Sequence, residues 1–273
     1  MIAGALRRLK QRRRLAEAER EISGRRLEGA AHGLPVPLIV SLTSYPGRFA
    51  TLALTLRALM TQSVRPDRII LWLDEGDDAQ LPPEVTELGA GLEIASCPDW
   101  RSYKKIVPTL LADPGACIVT ADDDVYYPPD WLAQLVTAAK AGARIACHRA
   151  HRVTRLPTGR PAAYRDWMHN ISRPERSGLV FLTGVSGVLY TPGVFHPDVT
   201  RHDLFTRLAP QSDDVWLYWM HRLNGVEAQK IGARARILEW EGSQGRSLQS
   251  ENLRGSGNDR AIAALIDHYG WPD

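Results

Sequence analysis

The chain has 273 residues, 44% of them hydrophobic, which suits one large α/β domain or two small ones built on a real core. The net charge of +3 is unevenly placed: residues 1–34 hold nine basic and four acidic side chains, an excess of +5 that leaves −2 for the remainder. A slightly acidic body offers no broad basic face, so nucleic acid is excluded as a partner. Cys97, Cys117 and Cys147 are far apart, odd in number and without metal-ligand spacing, which predicts core residues in a reduced compartment. No apolar run approaches the roughly 18 residues of a membrane span. Charged residues follow the short apolar start, unlike a secretory signal. The expectation is a soluble cytoplasmic protein, with room for peripheral contact at the inner face of a membrane.

Residues 1–34 predict a basic helical arm and linker. Ile2, Leu6 and Leu9 share one helical face among arginines. Such an arm lies on anionic lipid or on a partner, or is simply a solvated helix. Residues 35–273 then read as one domain. The run 38–42 is a short apolar strand, followed by a turn at 43–48 and a helix over 49–62. Residues 68–73 form a second strand ending in Asp74, Pro82 and Pro83 open a short helix, and 92–95 form a third strand. Residues 104–111 are helical, 116–121 are a fourth strand, 130–140 a helix and 144–147 another strand. Residues 148–178 and 241–258 read as loops, and 259–268 as a last helix capped by Asn258. Strands alternating with helices over 36–147 predict a mostly parallel sheet with helices on both faces, and ligands bind such sheets beyond the carboxyl ends of the strands.

One such end carries Asp122, Asp123 and Asp124. In extended chain, Asp122 and Asp124 point the same way, with Cα atoms roughly 6.6 Å apart. Three adjacent carboxylates repel, so a positive group is expected there, and hard oxygen donors suit Mg²⁺ or Mn²⁺ completed by substrate phosphates. An acidic surface turn is the plainer alternative, but the strand before it is too apolar for a surface element. A second acidic pair, Asp213 and Asp214, opens a helix apolar nearly all round, with Ser212 as a candidate cap. Those acids either face a cavity or merely favour the helix N-terminus. Gly184 and Gly187 precede an apolar strand, as a pocket floor or a plain turn.

A strand, then Asp-x-Asp, then a proline-started helix resembles the metal motif of GT-A glycosyltransferases. Residues 40–48 and 68–74, with Gln62 and Pro66 before the latter, resemble the opening blocks of bacterial family-2-like enzymes of the surface-polysaccharide type. The resemblance runs over about 36–270. It implies a nucleotide-binding half at about 36–147 and an acceptor half at about 148–273. It implies that Thr43, Ser44, Tyr45 and Arg48 lie against a nucleotide and Asp74 near its base or ribose. Lys104 or Lys105 would contact the nucleotide or diphosphate, or else be the solvent-facing start of a helix. Asp122 and Asp123 would belong to the nucleotide site, and Asp124 and Asp122 to the metal, with His268 or His202 as a further ligand. Asp214 would be the general base, supported by Asp213. Arg246 would fold over the diphosphate or lie in a disordered loop. The implied activity is metal-dependent, inverting transfer of a sugar from a nucleotide-diphosphate donor to a saccharide or lipid-linked acceptor. A metal-dependent nucleotidyltransferase and a non-catalytic protein retaining the fold are the alternatives, and the chain lacks the glycine-rich phosphate loop of phosphoryl-transfer enzymes.

Overall fold

The computed structural model describes residues 2–26, 28–242 and 257–272. Helix α1 (Ile2–Gly24) leads to β1 (Ala30–Ala31) and β2 (Leu38–Thr43). Strand β2 is buried from Leu38 to Leu42, so its apolar run serves both faces of a central strand. Helix α2 (Phe49–Met60) is followed by β3 (Val64–Arg65), which pairs with β1, and then by β4 (Arg68–Leu73), α3 (Pro83–Thr86) and β5 (Leu92–Ser96). Next come α4 (Val107–Ala112), β6 (Cys117–Thr120), α5 (Trp131–Lys140) and β7 (Ile145–Cys147). The second half holds β8 (Ala150–Arg152), β9 (Glu175–Ser177), β10 (Val180–Leu182), β11 (Val188–Tyr190), α6 (His202–Leu208), α7 (Asp213–Leu223), β12 (Ala228–Lys230) and α8 (Gly257–Tyr269).

The main sheet runs in the order β5-β4-β2-β6-β11-β7-β12-β9. Strands β5, β4, β2 and β6 are parallel, β11 is antiparallel to both β6 and β7, and β12 is parallel to β7 but antiparallel to β9. The fold is thus the expected α/β, Rossmann-like GT-A type, parallel through its first half and mixed beyond. Because β11 is reversed, the carboxyl ends of β4, β2, β6 and β7 and the start of β11 share one edge. That edge positions the site. On one face, α1, α2 and α5 cover Leu38, Val40, Leu42 and Val119. On the other, α7 and α8 pack over β7, β10 and β11 with Tyr103, Phe205 and Trp216. Helix α7 is the hub of this second core: Val215 to Met220 are all 1% exposed or less, which explains its nearly unbroken apolar sequence.

Three expectations need correction. The segment 148–178 is more than a loop, since it supplies β8 and β9, and β8 pairs with β10 in a small second sheet. Helix α4 begins only at Val107; Arg101–Lys105 form a 3₁₀ turn instead, fixed by Tyr103, which stacks on Phe205 and donates to the carbonyl of Ala209. The last helix starts before Asn258, whose Oδ1 accepts from Ser212 Oγ at 2.6 Å.

The arm is also not a separate body. Leu6 and Leu9 are exposed, whereas Leu15, Ala18 and Ile22, a stripe at spacings of three and four, are buried in the core that contains α2. Arg25 completes the docking: its guanidinium donates to Glu21, Tyr126 and the carbonyl of Tyr127. Ile22→Ala should therefore lower stability by about 2 to 5 kcal/mol, as buried truncations do, and Leu6→Ala by no more than about 0.5 kcal/mol. Urea unfolding of both variants checks this, and equal effects would contradict the docking. All three cysteines are free and buried, and no described helix is long and apolar enough to cross a membrane.

Candidate active site

The carboxyl edge of the sheet opens into a cleft of about 670 Å³. It is lined by Thr43, Ser44, Tyr45, Arg48, Asp74, Lys104, Lys105, Asp122, Asp123, Asp124, Asp213 and Asp214, so sequence positions up to 171 residues apart meet in one place. Each is set by the end of an element. β2 delivers Ser44 and the 3₁₀ turn Pro46–Arg48, β4 delivers Asp74, β6 delivers the aspartates, and α7 begins with Asp213 and Asp214.

The three aspartates do not continue the strand. They enter a turn and separate. Asp123 points into the protein, 4% exposed, and accepts from Ser44 Oγ at 2.6 Å and from Arg48 Nη1 at 2.7 Å. These two bonds tie the turn to the end of β2 while Asp123 still lines the cleft. Asp124 lies 3.1 Å from the same Arg48 nitrogen, and Arg48, expected against a nucleotide, lines the cleft as the counter-ion of both. Burial first, then Asp122, pushes Asp124 up to about 7 despite Arg48. The turn is pinned from outside by residues 237–240. Trp240 N–H donates to the Asp124 carbonyl at 3.0 Å, Tyr126 N–H to the Leu238 carbonyl at 2.9 Å, and Val125 bridges Glu239.

Lys105 is the centre of the site. Its ammonium is 3.3 Å from Asp122 and 3.0 Å from Asp213. Burial alone would lower its pKa, but Asp122, Asp213 and Asp214 outweigh that and hold it charged, well above the usual lysine range. Lys104 diverges from the same 3₁₀ turn to Asp74, at 2.6 Å. Neither lysine is a solvent-facing helix start, since they are 4% and 8% exposed.

Asp214 Oδ1 accepts from the Gly184 N–H at 2.8 Å. A Cβ at Gly184 would lie 2.6 Å from Lys105 Nζ and 3.1 Å from Asp214 Oδ1, so this glycine makes room for the charged pair. Ser212 makes no side-chain cap, and the acids of α7 turn to Lys105 and Gly184 rather than merely capping the helix. Burial, reinforced by Asp213, pushes Asp214 up to about 7. An unfolded aspartate titrates near about 3.9, so between these values the folded state binds the extra proton and its stability falls as pH rises from about 4 to about 7. Asp214→Asn should make that fall smaller, measured as urea unfolding free energies at pH 5 and pH 8. An unchanged fall would show that Asp214 does not titrate there.

Two expected ligands are not brought to the site. His268 is exposed on α8 and packs edge-on to Tyr269, and His202 is exposed beside Trp100; neither lines the cleft. Arg246 lies outside the described residues. Conversely, Glu239 and Arg149 line the cleft unforeseen. Glu239 reaches it through the pairing with Val125, whose only trace in sequence is the short apolar stretch of Ile237, Leu238 and Trp240.

The donor set suits a divalent cation bound by few protein ligands. Eight carboxylates and five basic side chains line the cleft, an excess of negative charge that a hard cation offsets. No group of three or more metal-binding side chains gathers among the described residues, so Asp124 with one of Asp122 and Glu239 would need phosphate oxygens to complete a shell.

Neither a protein-family model nor a curated protein matches the chain. Solved structures of similar fold include glucosyl-3-phosphoglycerate synthase from Mycobacterium tuberculosis in complex with Mn²⁺, UDP and phosphoglyceric acid, at 18% identity and TM-score 0.49 over 94% of this chain and 83% of that one. 4-Diphosphocytidyl-2C-methyl-D-erythritol synthase matches at 14% identity and TM-score 0.47 over 81% and 98%. The inositol-1-phosphate CTP transferase from T. maritima matches at 10% identity and TM-score 0.46 over 85% and 97%. At such values these likenesses carry no weight for function, which rests on the site itself.

Proposed function

We propose that the protein is a family-2-like glycosyltransferase that moves a sugar from a nucleotide-diphosphate donor to an acceptor hydroxyl with inversion. The observation that carries this is Lys105, whose single ammonium joins the aspartate turn after β6 to the acidic start of α7. A leaving diphosphate and a proton acceptor are then held on either side of one reacting centre.

In this reading the nucleotide lies along β2 and β4, with the exposed ring of Tyr45 and the Asp74–Lys104 pair on that side. Lys105 faces the negative charge that develops on the departing diphosphate, in a buried setting where such stabilisation is strong. Bound Mn²⁺ or Mg²⁺, held by Asp124 with Asp122 or Glu239, supplies Lewis-acid stabilisation of the same charge. With Oδ1 engaged by Gly184, Asp214 Oδ2 takes the acceptor's proton as its oxygen attacks from the opposite face. A group pushed up to about 7 is well matched to that work near neutral pH. The acceptor is a saccharide or a lipid-linked saccharide of bacterial surface-polysaccharide synthesis. The first turns of α1, with Leu6 and Leu9 exposed, are the surface left for an anionic membrane.

A thermal-shift screen against UDP-, GDP-, CMP- and dTDP-sugars tests this. A ligand at a hundredfold excess over its Kd adds about 2.7 kcal/mol. We expect one nucleotide class to stabilise the protein only with Mn²⁺, and Asp124→Ala to abolish the effect. Normal binding by that variant would displace the metal from Asp124.

A further inference from the structure

Arg48, Lys104 and Lys105 each meet carboxylates within ion-pair distance in the cleft. Of the two lining arginines that meet none among the described residues, Arg101 is exposed to solvent, which leaves the half-buried Arg149 as the cation not used by this chemistry. It follows β7, two sheet positions beyond β6 and its aspartate turn. Its Nη1 donates to Thr183 Oγ1 at 2.9 Å, and its Nε is buried without a hydrogen-bond partner. Burial lowers the pKa of the guanidinium, with Tyr164 and Asp214 only partly offsetting it. An arginine held this way is normally matched by an oxyanion, and here the protein does not supply one.

His151 stands beside it. Its Nδ1 accepts from the Asn170 N–H at 2.9 Å, which places the ring proton on Nε2 as a donor. The ring is 2% exposed and lines the cleft. Burial, then the charge of Arg149, then His169 bring it down to about 3, so it is a neutral donor. His169, 4.3 Å away between ring centres, spends its Nε2 on the Tyr164 carbonyl. Asp259 is engaged with the Tyr164 N–H. This wall therefore offers a planar charged fork and a neutral N–H, with no acid of its own to answer them.

We propose that Arg149 and His151 form an oxyanion subsite, so that the acceptor carries a phosphate or carboxylate group next to the hydroxyl that reacts. The word acceptor rests on the glycosyltransferase reading; the anion subsite does not. A sugar phosphate, a hydroxy acid and a lipid-linked saccharide phosphate all share this chemistry.

The test is calorimetric titration of the full chain with inorganic phosphate and, in parallel, acetate, without donor and again with UDP and Mn²⁺. We expect phosphate or acetate to bind, and Arg149→Gln to weaken the preferred anion about tenfold or more, the usual range for a lost charge-assisted pair. Arg149→Lys, which keeps the charge but not the fork, should fall between. Tighter phosphate binding assigns a phosphate acceptor, and tighter acetate binding a carboxylate. Undiminished binding by Arg149→Gln, no binding of either anion by the wild type, or displacement of the anion by UDP would each overturn the subsite. Anion binding through Arg149 without any nucleotide binding would support the subsite and overturn the donor reading instead.

Discussion

Asp214→Asn should abolish transfer while leaving the nucleotide in place. The change is isosteric, and Oδ1 can still accept from the Gly184 N–H, so the floor of the pocket is kept. Lys105 keeps Asp122 and Asp213 as partners. What is lost is the group that takes the acceptor's proton. General-base catalysis contributes about 10²- to 10⁴-fold, and turnover should fall by that factor with little change in donor affinity. The measurement is kcat with saturating donor beside the donor's thermal shift. Normal turnover would move the base elsewhere; a matching loss of donor binding would make Asp214 a structural residue.

Arg48→Met is the second large expected effect, and it is on stability. Arg48 pairs with both Asp123 and Asp124, at 2.7 Å and 3.1 Å, and the three side chains are 15%, 5% and 8% exposed. Removing one partner of a buried pair strands the other charge and costs about 3 to 5 kcal/mol. Adding Asp123→Asn to that variant should recover part of the loss, because the stranded charge is then gone. Guanidinium unfolding of the single and double variants reads both numbers. A loss below about 1 kcal/mol for Arg48→Met would mean that the aspartate turn does not depend on this ion pair.

The parallel half of the sheet was legible because its strands are short, β-branched and punctuated. Residues 38–42, 68–73 and 116–121 announce themselves, and the rule that ligands sit beyond carboxyl ends then selects Ser44, Asp74 and Asp122. The acidic start of α7 was legible for a related reason: a helix apolar all round must be buried, so its polar start faces a cavity. Which carboxylate does what was not legible. Spacing alone paired Asp122 with Asp124, but the turn sends Asp123 inward to Arg48, and only the three-dimensional position of Arg48, 75 residues earlier, shows it. The arm holds two apolar stripes of helical period, and packing against α2 chose Leu15, Ala18 and Ile22 over Leu6 and Leu9. His268 shares the helical face of Ala261 and Leu265 by spacing, but it falls in the last turn of α8, where it is exposed against Tyr269 and outside the cleft. Glu239 reaches the cleft through a bridge to Val125 across 114 residues, for which the only local signal is the short apolar stretch of Ile237, Leu238 and Trp240.

The central claim is the transfer of a sugar rather than of a nucleotidyl group, and product analysis separates the two directly. The wild-type protein is incubated with Mn²⁺ and the nucleotide sugar that stabilises it, and separately with the four nucleoside triphosphates and sugar phosphates. The account predicts release of a nucleoside diphosphate from the nucleotide sugar, dependent on metal and lost in Asp124→Ala, with no pyrophosphate from any triphosphate. Pyrophosphate released from a triphosphate, with the nucleotide sugar left intact, would contradict it.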